Sequence, residues 1–177
     1  NRLVGTNGKV GTTREEEEPW YAPSRFCYVP DTDTLQLLIQ VSNFNHRRGG
    51  FWQSVLVGGT DEILDQAERR KMFNYSTIGV LFFFTLFFVL FWTFSRKDYM
   101  MLLFALTVLG ILIRSVNTGL YFSNAFIHTP WAWQIRMEYF GTYLAHISGM
   151  IFLHMIFPRR YMKHVITGNS ILTLLLI

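Results

Sequence analysis

"FNYSTIGVLFFFTLFFVLFWTF", residues Phe73 to Phe94, decides how the rest of the chain is read. It carries no charge, and it is long enough to cross a bilayer, which takes roughly 20 apolar residues of helix. The composition agrees. Of 177 residues, 17% are aromatic and only 16% charged, and the mean hydropathy is +0.22, so apolar residues are concentrated in part of the chain. A formal charge of +4 and a pI near 9.4 would also suit a nucleic-acid binder. The basic residues are dispersed, however, and no nucleic-acid motif accompanies them, so no nucleic acid is expected as a partner.

Downstream the same apolar character recurs. Tyr99 to Phe122 forms a second expected span, interrupted only by Arg114 and Asn117; a third runs over 133–157, and a fourth begins near 165 and is truncated at 177. The first span is assigned 73–94. Tight loops between them require antiparallel neighbours. Asn1 is not an initiating methionine, and Ile177 lies inside the apolar run "ILTLLLI", which leads to the expectation of a piece of a larger protein. The loops holding Arg96 and Lys97, and Arg159, Arg160 and Lys163, fall on one side, whereas "SNAFIHTP" on the other has no Lys or Arg. Positive-inside therefore puts the basic loops in the cytoplasm and the N-terminal part outside. Trp92, Tyr99, Tyr121, Trp131 and Trp133 suit interfacial belts.

Upstream, residues 58–72 read as a short connector helix. Thr60 is placed to cap it, Asp61 and Glu62 occupy its first turn, and Arg69, Arg70 and Lys71 its last, an order that suits the helix dipole. Residues 1–57 read as β structure, with turn signals at Asn7-Gly8, Pro30-Asp31 and Gly49-Gly50. In "TLQLLIQVSNF" the residues Leu35, Leu37, Ile39 and Val41 alternate with Gln36, Leu38 and Gln40. The expected fold class is therefore mixed: part of an extracellular all-β sandwich, completed by strands beyond this sequence, followed by an all-α transmembrane bundle of three full spans and a truncated fourth. Glu15 to Glu18 read as a solvated loop, with a calcium site as the less favoured alternative. Cys27, the single cysteine, excludes an internal disulfide and reads as a small buried residue on a strand.

Few residues point to chemistry. His146 and His154 lie eight residues apart on the third span, about 12 Å along a helix and on different faces, so they cannot share one ion directly. They read as polar residues facing the bundle, as does Asn117. Ser148 has no base at nucleophile spacing, and no GxSxG, Walker-type loop or HExxH is present. No catalytic residue, metal or cofactor is expected. Trp20, Tyr21, Phe51 and Trp52 are candidates for stacking on a small ligand, against the alternative that they fill the sandwich core. Arg114 and Glu138 lie at comparable depths, about 10 and 7 Å from the outer surface, and are the candidate intramembrane ion pair.

The order of "VSNFNHRRGGFWQSVLVGG", a polar connector, a span ending in "SRKDYMMLLFAL", then "IRSVNTGLYF" and "IRMEYFGTYLAHISGMIFLHMIFP" resembles bacterial seven-transmembrane receptors with diverse intracellular signalling modules. The most specific parts are Arg114, the "RMEY" at Arg136 to Tyr139 and the "FP" at Phe157-Pro158. "NRLVGTNGKVGTTREEEEPWYAP" is similar to the middle of that family's extracellular jelly-roll domain, itself similar to carbohydrate-binding modules. The resemblance implies a multi-pass protein of the bacterial inner membrane. It would sense a small molecule outside, a carbohydrate being the candidate, and relay the state through seven helices. A cytoplasmic histidine kinase, diguanylate cyclase or phosphatase, absent from this segment, would receive it. The expected partners are then the lipid bilayer, that small molecule and a second copy in a homodimer. Two other readings stay open: an intramembrane metal-dependent hydrolase, with His146, His154 and Glu138 joining ligands from later helices, and a transporter or membrane scaffold component.

Overall fold

The computed structural model describes residues 3–20, 23–29, 34–45, 55–95, 98–125, 129–158 and 160–175. Helices α1 (Thr60–Phe94), α2 (Tyr99–Asn117), α3 (Trp131–Ile156) and α4 (Arg160–Leu175) follow one another, with a 3-10 turn at Phe122–Ala125 between α2 and α3. The chain divides into two compact units, Asn1–Arg70 and Lys71–Ile177.

Among the described residues the expected β-sandwich is not there. Among the described residues of the first unit the only strand-like pairing is one isolated antiparallel bridge, in which Lys9 and Glu18 exchange both backbone hydrogen bonds at 3.0 Å. The described chain is all-α, not mixed. Period-two alternation is present over Leu35 to Val41, but neither face is covered. Leu35, Leu37, Ile39 and Val41 are exposed, and Leu38 is 84% exposed. An extended segment becomes a strand only when a neighbour takes its N–H and C=O groups, and among the described residues none does. Cys27 is likewise exposed, on no strand.

In place of a separate connector and span, α1 is one helix of 35 residues. At 1.5 Å per residue it is about 52 Å long, well beyond a hydrocarbon core of about 30 Å. Its start is set by Gly59, whose carbonyl accepts the Ile63 N–H at 3.0 Å, so Thr60 is inside the helix rather than at its cap. Arg69, Arg70 and Lys71 consequently lie mid-helix and do not complement a C-terminal dipole; Asp65 four residues before Arg69 sits at a spacing that supports the helix instead.

Both α1 and α2 are long and apolar enough to cross a membrane. Only 11% of the most apolar window of α1 and 17% of that of α2 is buried inside the molecule, whereas the core helix of a soluble protein is mostly buried. Of all α1, only Ile78 is buried, while Phe82, Phe83, Phe84, Leu86, Phe87 and Leu90 are exposed. These cover most of the helix circumference, a pattern that water would penalise and lipid would not.

Local signals set the remaining boundaries. The Asp98 carboxylate accepts the Met100 N–H at 3.0 Å and so caps α2. At its other end the Asn117 amide donates to the Ile113 carbonyl (2.7 Å) and the Thr118 hydroxyl to that of Arg114 (2.9 Å), so both side chains fold back onto the last turn. The chain then reverses through Gly119 at φ 71° and Tyr121 at φ 50°. Pro130 precedes α3, its carbonyl accepting the N–H groups of Trp133 and Gln134, and Pro158 follows it, where no helix could continue.

Candidate functional site

The polar and small residues of the second unit gather along the contact between α2 and α3. α3 presents Gly141, Ala145 and Gly149 at four-residue spacing, with Ser148 beside them, 4% exposed. Against this stripe lie Thr107, Gly110 and Arg114 of α2. A Cβ on Gly110 would stand 2.6 Å from the Gly141 carbonyl oxygen and run into the Ala145 backbone, and a Cβ on Gly141 would stand 2.6 Å from the Gly110 carbonyl oxygen and 2.7 Å from the Arg114 nitrogen. Only glycine lets the two backbones approach this closely, the packing that replaces the hydrophobic effect between helices in lipid. Ala105, Val108 and Leu112 are buried on α2.

Hydroxyls join the helices at mid-seam. Thr107 Oγ1 and Ser148 Oγ are 3.0 Å apart, and each hydroxyl also reaches a carbonyl of its own helix, those of Leu103 (2.8 Å) and Leu144 (2.5 Å). Ser148 is therefore a packing and hydrogen-bonding residue, engaged on both sides. Further along, Phe104 carries an aromatic chain across three helices, edge-on to Phe88 of α1 at 4.6 Å and tilted against Phe152 of α3 at 5.3 Å. On α1 the rings of Phe83 and Phe87, Phe84 and Phe88, and Phe87 and Phe91 stack at 6.2–6.3 Å, one helical turn apart.

The other end of the bundle is polar. Gln134, 2% exposed, donates its amide to Asn124 Oδ1 and, at 2.7 Å, to Thr129 Oγ1. Thr129 in turn reaches Asn124 at 3.4 Å. Tyr75 of α1 meets Phe122 edge-on at 5.1 Å, and Asn74 lies against Gly119. Sequence reasoning missed Gln134. Its signal was one uncharged amide among the tryptophans at the start of an apolar helix.

The sequence-predicted residues fall as follows. Arg114 is exposed on the last turn of α2, level with Gly141; Glu138, half-buried, lies one turn away on α3, about 4.5 Å along the axis. The seam register brings the two onto packed helices at adjacent levels, with Asn117, half-buried, nearer to the level of Glu138. His146 is exposed, and its Nε2 contacts the side-chain amide of Asn169 on α4. His154 is half-buried, two turns further on, and its Nδ1 is buried without a hydrogen-bond partner. The two histidines are not brought together, and no group of three or more His, Cys, Asp or Glu among the described residues could hold a metal ion. Trp20 is 50% exposed. Tyr21, Phe51 and Trp52 lie outside the described residues.

Within the first unit the acidic run is not uniformly solvated. Glu17 is buried: its carboxylate accepts the Phe44 N–H at 2.9 Å, the Ser42 hydroxyl at 2.8 Å and the Asn45 amide at 2.7 Å. These donors, the Phe44 N–H foremost, hold its carboxyl below the usual range although burial opposes them. Glu16 is lowered by the Thr12 hydroxyl and N–H.

In comparisons with known proteins, no family model, no curated protein and no solved structure matches this chain.

Proposed function

We propose that the chain is the membrane part of a signal-transduction receptor of the bacterial inner membrane, with its N-terminal segment outside and the loop after α1 inside. The observation that carries this reading is α1. One uninterrupted helix runs from the charged residues Asp61 to Lys71 into an apolar stretch that exposes phenylalanine on most sides. A continuous helix transmits a displacement along its length, because its hydrogen-bond ladder leaves no soft dihedral between the ends. Two unlike contacts support the relay. α2 and α3 are locked backbone to backbone at Gly110 and Gly141, whereas α1 meets α2 through ring contacts such as Phe88–Phe104. Locked helices move as a pair; a helix held by rings can shift against them as rotamers change. The order of motifs around Arg114, Arg136 to Tyr139 and Phe157-Pro158 favours the same reading. In it the chain performs no chemistry itself, and the effector lies beyond the bundle.

Orientation tests this directly. Glu15→Cys and Ser95→Cys, each with Cys27→Ser, are labelled in intact cells with an impermeant maleimide. Labelling at position 15 and protection at 95 is expected; the reverse pattern overturns the receptor reading.

A further inference from the structure

Three buried polar atoms at one end of the bundle have no hydrogen-bond partner: Gln134 Oε1, Ser123 Oγ and Asn74 Oδ1. The residues that carry them adjoin one another through the contacts already described. Asn124 bonds Gln134, Ser123 precedes Asn124, and Phe122, before Ser123, meets Tyr75, the neighbour of Asn74. A buried acceptor left unsatisfied costs about 1–3 kcal/mol, so these acceptors favour an occupant that donates to them. All three atoms can accept a hydrogen bond, and Gln134, being 2% exposed, cannot turn to bulk water. Its amide nitrogen is already committed to Asn124 and Thr129, which fixes the oxygen as the group to be satisfied.

We propose that this end of the bundle, at Gln134, Ser123 and Asn74, is a binding site for a small neutral molecule that presents hydrogen-bond donors, hydroxyl or amide N–H. Donors are required because the amide oxygens of Gln134 and Asn74 can only accept, while the Ser123 hydroxyl can do either. Neutrality follows from Asn74, Ser123, Asn124, Thr129 and Gln134 carrying no formal charge, so an ion would enter uncompensated. Tyr75, Phe122 and Gly119 join α1 to the turn after α2 here, so an occupant would bear on the contact between them. This deepens the receptor reading and rests on it for its role: the sensed molecule would be taken at the outer mouth of the helices.

The test uses the full chain in lipid nanodiscs. Acetamide, glycerol and myo-inositol serve as donor-bearing probes and dimethyl sulfoxide as an acceptor-only control, with Tm and tryptophan fluorescence as readouts. At least one donor probe should raise Tm saturably and dimethyl sulfoxide should not. Ser123→Ala, which leaves the Gln134 bonds in place, should weaken that binding about tenfold, and Gln134→Leu should abolish it. Circular dichroism of each variant establishes that it is folded. No saturable response from any donor probe in the folded wild-type chain, or equal binding by wild type and Ser123→Ala, overturns the site, and a resident water then completes the acceptors. The maleimide pattern at positions 15 and 95 is scored separately, so the site can fail with the receptor orientation intact, and the orientation can fail with the site intact.

Discussion

Gly141→Ala adds one methyl group where the seam has no room for it. The new Cβ would lie 2.6 Å from the Gly110 carbonyl oxygen and 2.7 Å from the Arg114 nitrogen, about 0.8 Å short of the 3.4 Å at which ordinary contact begins. Both obstacles are backbone, so no rotamer change relieves them and the helices must separate or shift. Overpacking of this kind costs typically 1–3 kcal/mol, and here the separation also loosens the Thr107–Ser148 contact two turns away. The expected loss for Gly141→Ala is therefore about 2–3 kcal/mol, with Gly110→Ala similar because its Cβ meets the Gly141 oxygen at the same 2.6 Å. Once one methyl has parted the helices the second finds space, so the double variant should lose clearly less than the sum. Gly79→Ala and Gly168→Ala are the controls. Nothing lies within 4 Å of either added Cβ, and helix propensity favours alanine by up to about 1 kcal/mol. Reversible unfolding in mixed detergent–SDS micelles, followed by circular dichroism, gives the five values. If Gly141→Ala is as harmless as Gly79→Ala, the backbone-to-backbone seam does not exist in the folded protein, and the locked α2–α3 pair falls with it.

Phe104→Leu removes both ring contacts, each worth about 0.5–1.5 kcal/mol beyond burial, so a loss of about 1–3 kcal/mol is expected in the same micelles; Phe83→Leu, whose ring partners Phe84 and Phe87 lie on its own helix, should lose much less. If Arg114 and Glu138 pair across the seam, a double-mutant cycle with Arg114→Gln and Glu138→Gln should return a coupling of about 0.5–3 kcal/mol, and strict additivity refutes the pair. For Glu17 the folded carboxyl is depressed, so its contribution is present above the unfolded carboxyl pKa and lost as pH falls through the lower folded value. The Phe44 amide resonance should report that transition by NMR and show none in Glu17→Gln.

How much of this was legible in the residues depends on whether a signal was local. The apolar run from Phe73 to Phe94, the Asp98 cap and the prolines at 130 and 158 act within one or two turns, and α1, α2 and α3 begin or end beside them, whereas α2 stops at Asn117, short of Phe122, and α4 begins at Arg160 rather than near 165. The continuity of α1 was nearly legible too, since no proline interrupts residues 60–94 and its one glycine, Gly79, is tolerated in a helix. Alternation from Leu35 to Val41 is also a local signal, but it states only which residues would share a face. It carries no information on whether a second strand lies alongside, and among the described residues none does. Glu17 shows the same limit from the other direction. In a run of four glutamates any one reads as solvated, and what singles it out are donors 25 to 28 residues away at Ser42, Phe44 and Asn45. The seam lies between these cases. Gly141, Ala145 and Gly149 at four-residue spacing are a local pattern with a known physical use in lipid, but the pattern does not say which helix it meets. In an apolar solvent small residues decide which helix faces meet, since every larger apolar side chain is equally content against lipid. Arg114, the residue that stands out in the second span, is placed by the glycine opposite it.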